Sequence, residues 1–143
     1  MCIRDRPYTQ GMDAATAADA ITRFFDEFPS DAVAVYLFGS VASGAARPAS
    51  DVDVAVLFRT APAATLRGQP FELAEALGRR LGRTVDLVTL NTAPADLRIR
   101  VLRHGTLLVD RDPATRIRFE VKTRNEAFDL ARILDQYRRR SIA

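Results

Sequence analysis

Residues 38–58 read FGSVASGAARPASDVDVAVLF, and two features in that stretch decide the reading of the chain. Gly39-Ser40 directly follows an apolar run, Ala32 to Phe38 (AVAVYLF). After ten further residues, Asp51-Val52-Asp53 opens a second run, Asp51 to Phe58. Both runs are short, rich in β-branched and aromatic residues, and bounded by small polar ones, so both are expected to be strands. Gly39 to Ser50 between them is expected to be a tight turn, a short helix and a loop. Side chains alternate along a strand. Asp51, Asp53, Ala55 and Leu57 therefore share one face, and Val52, Val54, Val56 and Phe58 the other.

Two carboxylates leaving one face of a largely apolar strand repel each other and lose hydration. Without a cation, one of them tends to protonate. Mg²⁺ resolves the conflict, because it takes oxygen ligands and is commonly held by one or two carboxylates together with substrate phosphates. Such an ion orients a polyphosphate, neutralises its charge and activates an attacking oxygen. Glycine at 39 permits close approach of backbone to ligand, and a helix starting there would favour a phosphate at its first N–H groups. Ser40 adds a hydroxyl, and Gly44 lets the loop fold back toward the carboxylates. Asp86, flanked by Val85 and Leu87 in a further strand, is the third acidic candidate, as a metal ligand or as the base for an incoming nucleophile. Asp-x-Asp alone is a weak signal and Gly-Ser a weaker one. The two at this spacing, each tied to a strand and joined by a third aspartate, are specific.

Outward from this stretch, Asp13 to Phe28 has helical periodicity, with Ile21, Phe24, Phe25 and Phe28 on one stripe and Pro29 as the stop. Thr60 to Gln69 reads as a loop. Phe71 to Leu81 reads as a helix burying Phe71, Ala74, Leu77 and Leu81, with Gly82 as its cap. Thr84 to Leu90 (TVDLVTL) is a third strand. Thr92 is placed to cap a helix from Pro94 to His104, which Gly105 ends, and Thr106 to Val109 is a short fourth strand. Pro113 to Arg140 reads as a long amphipathic helix with a candidate break near Asn125, most of whose apolar stripe is expected to pack on the sheet. The fold expected is α+β: a small mixed sheet of about four strands with flanking helices.

The 143 residues suit one domain, and with 48% hydrophobic and 27% charged residues no long disordered segment is expected. No apolar run is long enough to cross a bilayer and no secretory signal opens the chain, so a cytoplasmic protein is expected. A lone cysteine, Cys2, excludes an internal disulfide. Residues 1–11 are set apart: Met1 to Arg6 (MCIRDR) read as an artefact of sequence assembly, and the stretch as an artefactual or disordered N-terminus. Residues 12–143 form the domain. The net charge of +3 is mild. The arginines from Arg116 to Arg140 read as a solvated helix face rather than a nucleic-acid patch, and no direct nucleic-acid binding is expected.

The stretch FGSVASGAARPASDVDVAVLF resembles the Gly-Ser, ten residues, Asp-x-Asp motif of the polymerase-β-like nucleotidyltransferase superfamily. The compact length and VDLVTL resemble its minimal branch (MNT). The closing segment HGTLLVDRDPATRIRFEVKTRNEAFDL resembles the end of MntA-family antitoxins of HEPN/MNT toxin–antitoxin systems. The resemblance spans about Ala32 to Leu130. It implies a polymerase-β-like fold in which Gly39 and Ser40 hold the phosphates of ATP and Asp51 and Asp53 bind Mg²⁺, with Asp86 as the third acidic position. It further implies transfer of AMP to a tyrosine of a HEPN ribonuclease toxin encoded by a neighbouring gene, which silences the toxin. One departure stands out: where relatives often carry arginine before the glycine of the loop, this chain has Ser43, and Arg47 is the nearest substitute.

Two other functions fit the same residues less well. Adenylyl transfer to a small molecule such as an aminoglycoside usually uses an additional drug-binding domain, for which 143 residues leave no room. A non-catalytic antitoxin acting by contact alone would not need Asp51, Asp53 and Asp86. Arg98 and His104 match the loose Arg-x(4–6)-His spacing of HEPN ribonucleases, but those are helical domains and this chain has four strand candidates. His104 is expected near a helix C-terminus, where a cation is favoured. Tyr36 reads as a core residue, and Arg79, Arg80 and Arg83 as solvent-facing.

Overall fold

The structure, a computed structural model, describes residues 12–47, 50–63 and 69–142. The expectations for residues 1–11 and for the centre of the Thr60–Gln69 loop lie outside the described residues. The elements run α1 (Ala14–Glu27), β1 (Ala32–Phe38), α2 (Gly39–Ser43), β2 (Val52–Phe58), α3 (Gln69–Leu81), β3 (Val85–Thr89), α4 (Ala95–His104), β4 (Thr106–Asp110) and α5 (Pro113–Ile142). The four strands form one mixed sheet in the order β3-β2-β1-β4. β1 is antiparallel to both its neighbours, and β2 and β3 are parallel. That is the α+β architecture expected from the alternation of strand and helix patterns.

Each face of the sheet carries its own core. On one face, Ile21, Phe24 and Phe25 of α1 and Leu73 and Leu77 of α3 pack on Val52, Val54, Val56 and Phe58 of β2. On the other, Val101 of α4 and Phe119 of α5 meet Ala55, Leu57 and Tyr36. The alternation in β2 is as expected, so Asp53 points to the side covered by α4 and α5. β1 is less regular. Its register against β2 shifts between Ala32 and Ala34, which lets Val33 and Ala34 both contribute to the α4/α5 side.

The helix ends follow local chemistry. Asp13 caps α1 by accepting the Thr16 N–H at 2.6 Å, and Asp112 caps α5 through the Thr115 N–H at 3.2 Å and hydroxyl at 2.7 Å. Pro113 then occupies the first helical position, where a missing N–H costs nothing. Four sequence expectations are corrected. Thr92 does not cap α4: its N–H closes a turn onto Thr89 O, and Pro94 is the N-cap. Phe71 is 53% exposed, and Leu73 takes the buried position with Leu77, because residues four apart share a helix face while Phe71, two residues before Leu73, is turned to the opposite side. α5 is unbroken through Asn125 over 30 residues. Its apolar stripe also does not lie mostly on the sheet: Ile117, Val121, Phe128, Ile133, Leu134 and Tyr137 are exposed.

The first half of α5 is fastened by charge. The Tyr36 hydroxyl donates to Glu120 Oε1 at 2.7 Å. Arg116 bridges Glu120 at 3.1 Å and Asp110 at 3.0 Å. Arg98 of α4 pairs with Glu126 at 2.7 Å. Burial first, and the Glu120 carboxylate second, push the Tyr36 phenol above its ordinary range. Arg98 is thereby a tie between helices, and His104 sits exposed in the last turn of α4, in keeping with the reading of that pair as a chance match. Among the described residues, no helix is long and apolar enough to cross a membrane.

Candidate active site

The turn out of β1 is where backbone and carboxylate meet. Phe38, the last residue of β1, lies opposite Asp53 in the sheet. Gly39 follows with φ +74°, a left-handed conformation that only glycine adopts cheaply. It also lies directly against Asp53, so that a Cβ at 39 would fall 2.0 Å from Asp53 Oδ2. α2 then runs through Ser43 and ends on Gly44, φ +80°. The Ser43 hydroxyl donates to Ser40 O at 3.1 Å. Ser43 thus closes the turn on itself. The loop is clamped at its far end, where Arg47 N–H donates to the Ser50 hydroxyl at 2.8 Å and Ser50 N–H to Arg47 O at 3.0 Å. The Arg47 residue is exposed.

The three aspartates come together as the strand order dictates. Asp53 and Asp86 are register partners across the parallel β2–β3 pair, and Asp51 precedes β2 on the same side. Asp51 and Asp86 are exposed and Asp53 is half-buried. The Asp53 carboxyl is held above the ordinary carboxylate range, by burial first, then by the charges of Asp86 and Asp51. That is the electrostatic conflict expected from the sequence.

The donor set fits a divalent cation shared with a ligand. Among the described residues no three His, Cys, Asp or Glu side chains form a metal cage of their own. Mg²⁺ does not need one, since it retains waters and takes phosphate oxygens beside one or two carboxylates. Such a cation would relieve the crowding of Asp53 by Asp86 and Asp51, and glycine at 39 leaves room for the Asp53 carboxylate.

Arg83, expected to face solvent, instead reaches across to the start of β2. It follows the α3 terminus at Gly82 and is half-buried, and its Nη1 lies 3.5 Å from Ser50 O, next to Asp51. Thr84 O accepts from Val52 N–H at 3.0 Å, so the segment leading into β3 braces the start of β2. The only signal in the sequence was an arginine in the short connection before the strand that carries Asp86.

The polymerase β nucleotidyltransferase family model matches residues 19–114, from within α1 to the start of α5. The chain belongs to that family, and it is a nucleotidyltransferase. A crystal structure of a toxin–antitoxin with AMP-PNP is 27% identical, with a TM-score of 0.70, over 88% of this chain and 98% of that one. The MNT antitoxin in complex with a tri-AMPylated HEPN toxin from Shewanella oneidensis is 25% identical, with a TM-score of 0.66, over 91% of this chain and 99% of that one. A toxin–antitoxin MntA–HepT structure is 26% identical, with a TM-score of 0.64, over 90% and 99%. No curated protein matches the chain in sequence.

Proposed function

We propose that this chain is an MNT antitoxin that transfers AMP from ATP, with Mg²⁺, to a tyrosine hydroxyl of a HEPN ribonuclease toxin encoded by a neighbouring gene. The observation that carries the reading is the gathering of Asp51, Asp53 and Asp86 beside the Gly39 turn. The similarity to antitoxins solved with AMP-PNP and with a tri-AMPylated HEPN toxin supports the choice of nucleotide and acceptor.

In the proposed reaction the acceptor oxygen bonds to the α-phosphorus of ATP, and the bond from that phosphorus to the β-phosphate oxygen breaks. Pyrophosphate leaves with the electron pair, and the hydroxyl proton passes to a carboxylate. Gly39 and Ser40 receive the phosphates, where the bare glycine lets the backbone approach them. Asp51 and Asp53 hold the cation, and Asp86 acts as a third ligand or as the proton acceptor. When bound, Mg²⁺ neutralises the triphosphate and stabilises the charge that develops as pyrophosphate departs.

The test is the intact mass of the neighbouring gene product after incubation with this chain, ATP and Mg²⁺. A gain of one or more AMP units, absent with Asp53→Asn, is the expected result. An unchanged mass with the unmodified chain overturns the reading.

A further inference from the structure

The face by which α5 holds the domain does not stop where the domain stops. Phe119 packs into the core, Thr123 is fully buried, and Glu126 takes Arg98. These positions recur at alternating spacings of four and three residues, and the same series continues as Leu130, Ile133 and Tyr137, with Leu134 beside them. Among the described residues, none lies under the continuation. Every residue from Phe128 to Ser141 is exposed, and these four side chains are 45%, 49%, 65% and 50% exposed in the order named. The overhang is roughly 22 Å long at the rise of an α-helix. Arg132, Arg138, Arg139 and Arg140 border it against only Asp129 and Asp135, and one of these acids is already paired, Asp135 with Arg139 at 3.0 Å.

We propose that this distal stripe docks a helical surface of the toxin that is apolar at its centre and acidic at its margin. The inference rests on the toxin reading above. Size favours such a partner over a second copy of this chain. One side of a helix of this length and about 10 Å width offers only a few hundred Å², so a symmetric pair formed through the stripe falls short of the roughly 1,200 Å² of a stable interface. A toxin that also presents its hydroxyl to Asp53 gains a second area of contact. α5 packs on the side of the sheet to which Asp53 points, so a partner held by its overhang is held on the carboxylate side. The toxin-bound Shewanella oneidensis antitoxin matches 91% of this chain. That leaves too few residues unmatched to omit the whole overhang, so at least part of it has a counterpart in a toxin complex.

The experiment replaces Leu130, Ile133, Leu134 and Tyr137 together by glutamine, a good helix former at exposed positions. Affinity for the purified toxin is measured by calorimetry, AMP transfer at dilute and at saturating toxin, and self-association by sedimentation. The expected result is a Kd at least about tenfold weaker, the size of a lost anchor cluster. Transfer should slow in step at dilute toxin and recover at saturation. Unchanged affinity with transfer intact overturns the docking surface and leaves the function standing. A change in self-association alone assigns the stripe to a second copy and also overturns it. Tight binding lost in the variant, with no AMP transferred by the parent chain, supports the docking surface while the catalytic reading fails. A parent chain that does not bind the toxin overturns both.

Discussion

Gly39 and Asp53 touch: the hydrogen where a side chain would start at position 39 faces the carboxylate, and a methyl group there would lie 2.0 Å from Asp53 Oδ2. With φ at +74°, Gly39→Ala meets a steric and a conformational obstacle at once. The variant is expected to lose about 1–3 kcal/mol of stability. It should also lose transfer by about a hundredfold or more, since the displaced group is the central carboxylate. Urea titration and the rate of AMP transfer check the two separately.

Asp53→Asn removes a charge that burial, Asp86 and Asp51 all disfavour. Transfer is expected to fall by at least about a hundredfold, yet the metal-free protein should melt at a higher temperature at neutral pH. The sign follows from linkage. With the folded pKa raised, the folded state binds more protons than the unfolded one between the ordinary carboxylate value and the raised value. Stability contributed by Asp53 is therefore fully present below that window and is lost as pH rises through it. Mg²⁺ should raise the melting temperature of the parent chain and not of Asp53→Asn, and this gain should shrink on acidification through the same window. Calorimetry across pH, with and without Mg²⁺, reads all of these.

Tyr36→Phe deletes the hydroxyl that donates to Glu120, leaving that carboxylate to Arg116 and, at 3.7 Å, Arg124. The expected cost is about 1–2 kcal/mol. Because the phenol is pushed up, the native fold holds its proton where the unfolded chain releases it. The parent chain should therefore lose stability as pH rises above about 10, and Tyr36→Phe should lose less. Denaturant midpoints at neutral and alkaline pH decide it.

Asn91 extends the β2–β3 pairing past its last strand residue. Phe58 N–H donates to Asn91 Oδ1 at 2.9 Å, and Asn91 Nδ2 donates to Phe58 O at 2.8 Å. Asn91→Ala strands both backbone groups of a buried phenylalanine and is expected to cost about 2–3 kcal/mol. Transfer by the folded fraction should be unchanged, as measured by activity against denaturant midpoint.

The strands and the carboxylate face were legible because they rest on local rules. The period-two alternation of Val52 to Phe58 places Asp53 whatever surrounds it, and burial of Ala32 to Phe38 follows from an apolar run that no water-facing strand would carry. The same alternation places Asp86 on the face opposite Val85 and Leu87, which pack against the core. What was missed depends on tertiary placement. Whether Phe71 or Leu73 faces the core turns on how α3 docks against the sheet, and periodicity tolerates either. Arg83 looks like any surface arginine until the fold brings it to Ser50 O. The apolar positions of α5 are periodic along the whole helix, but periodicity does not say how far the sheet extends beneath it.

α5 is therefore two regimes in one continuous rod. Up to about Ala127 its backbone hydrogen bonds are guarded by the core, by Tyr36 and by Arg98, and their amide protons should exchange with solvent only when the whole domain opens. Beyond that point the helix is held by its own propensity and by pairs such as Arg139 with Asp135, and a segment this short is marginal by itself in water. Exchange should accelerate sharply within one turn of Ala127. Any partner that grips the far end must also meet the entropy of winding it, so helix propensity at exposed positions such as Ser141 becomes a dial on affinity that touches no contact at all.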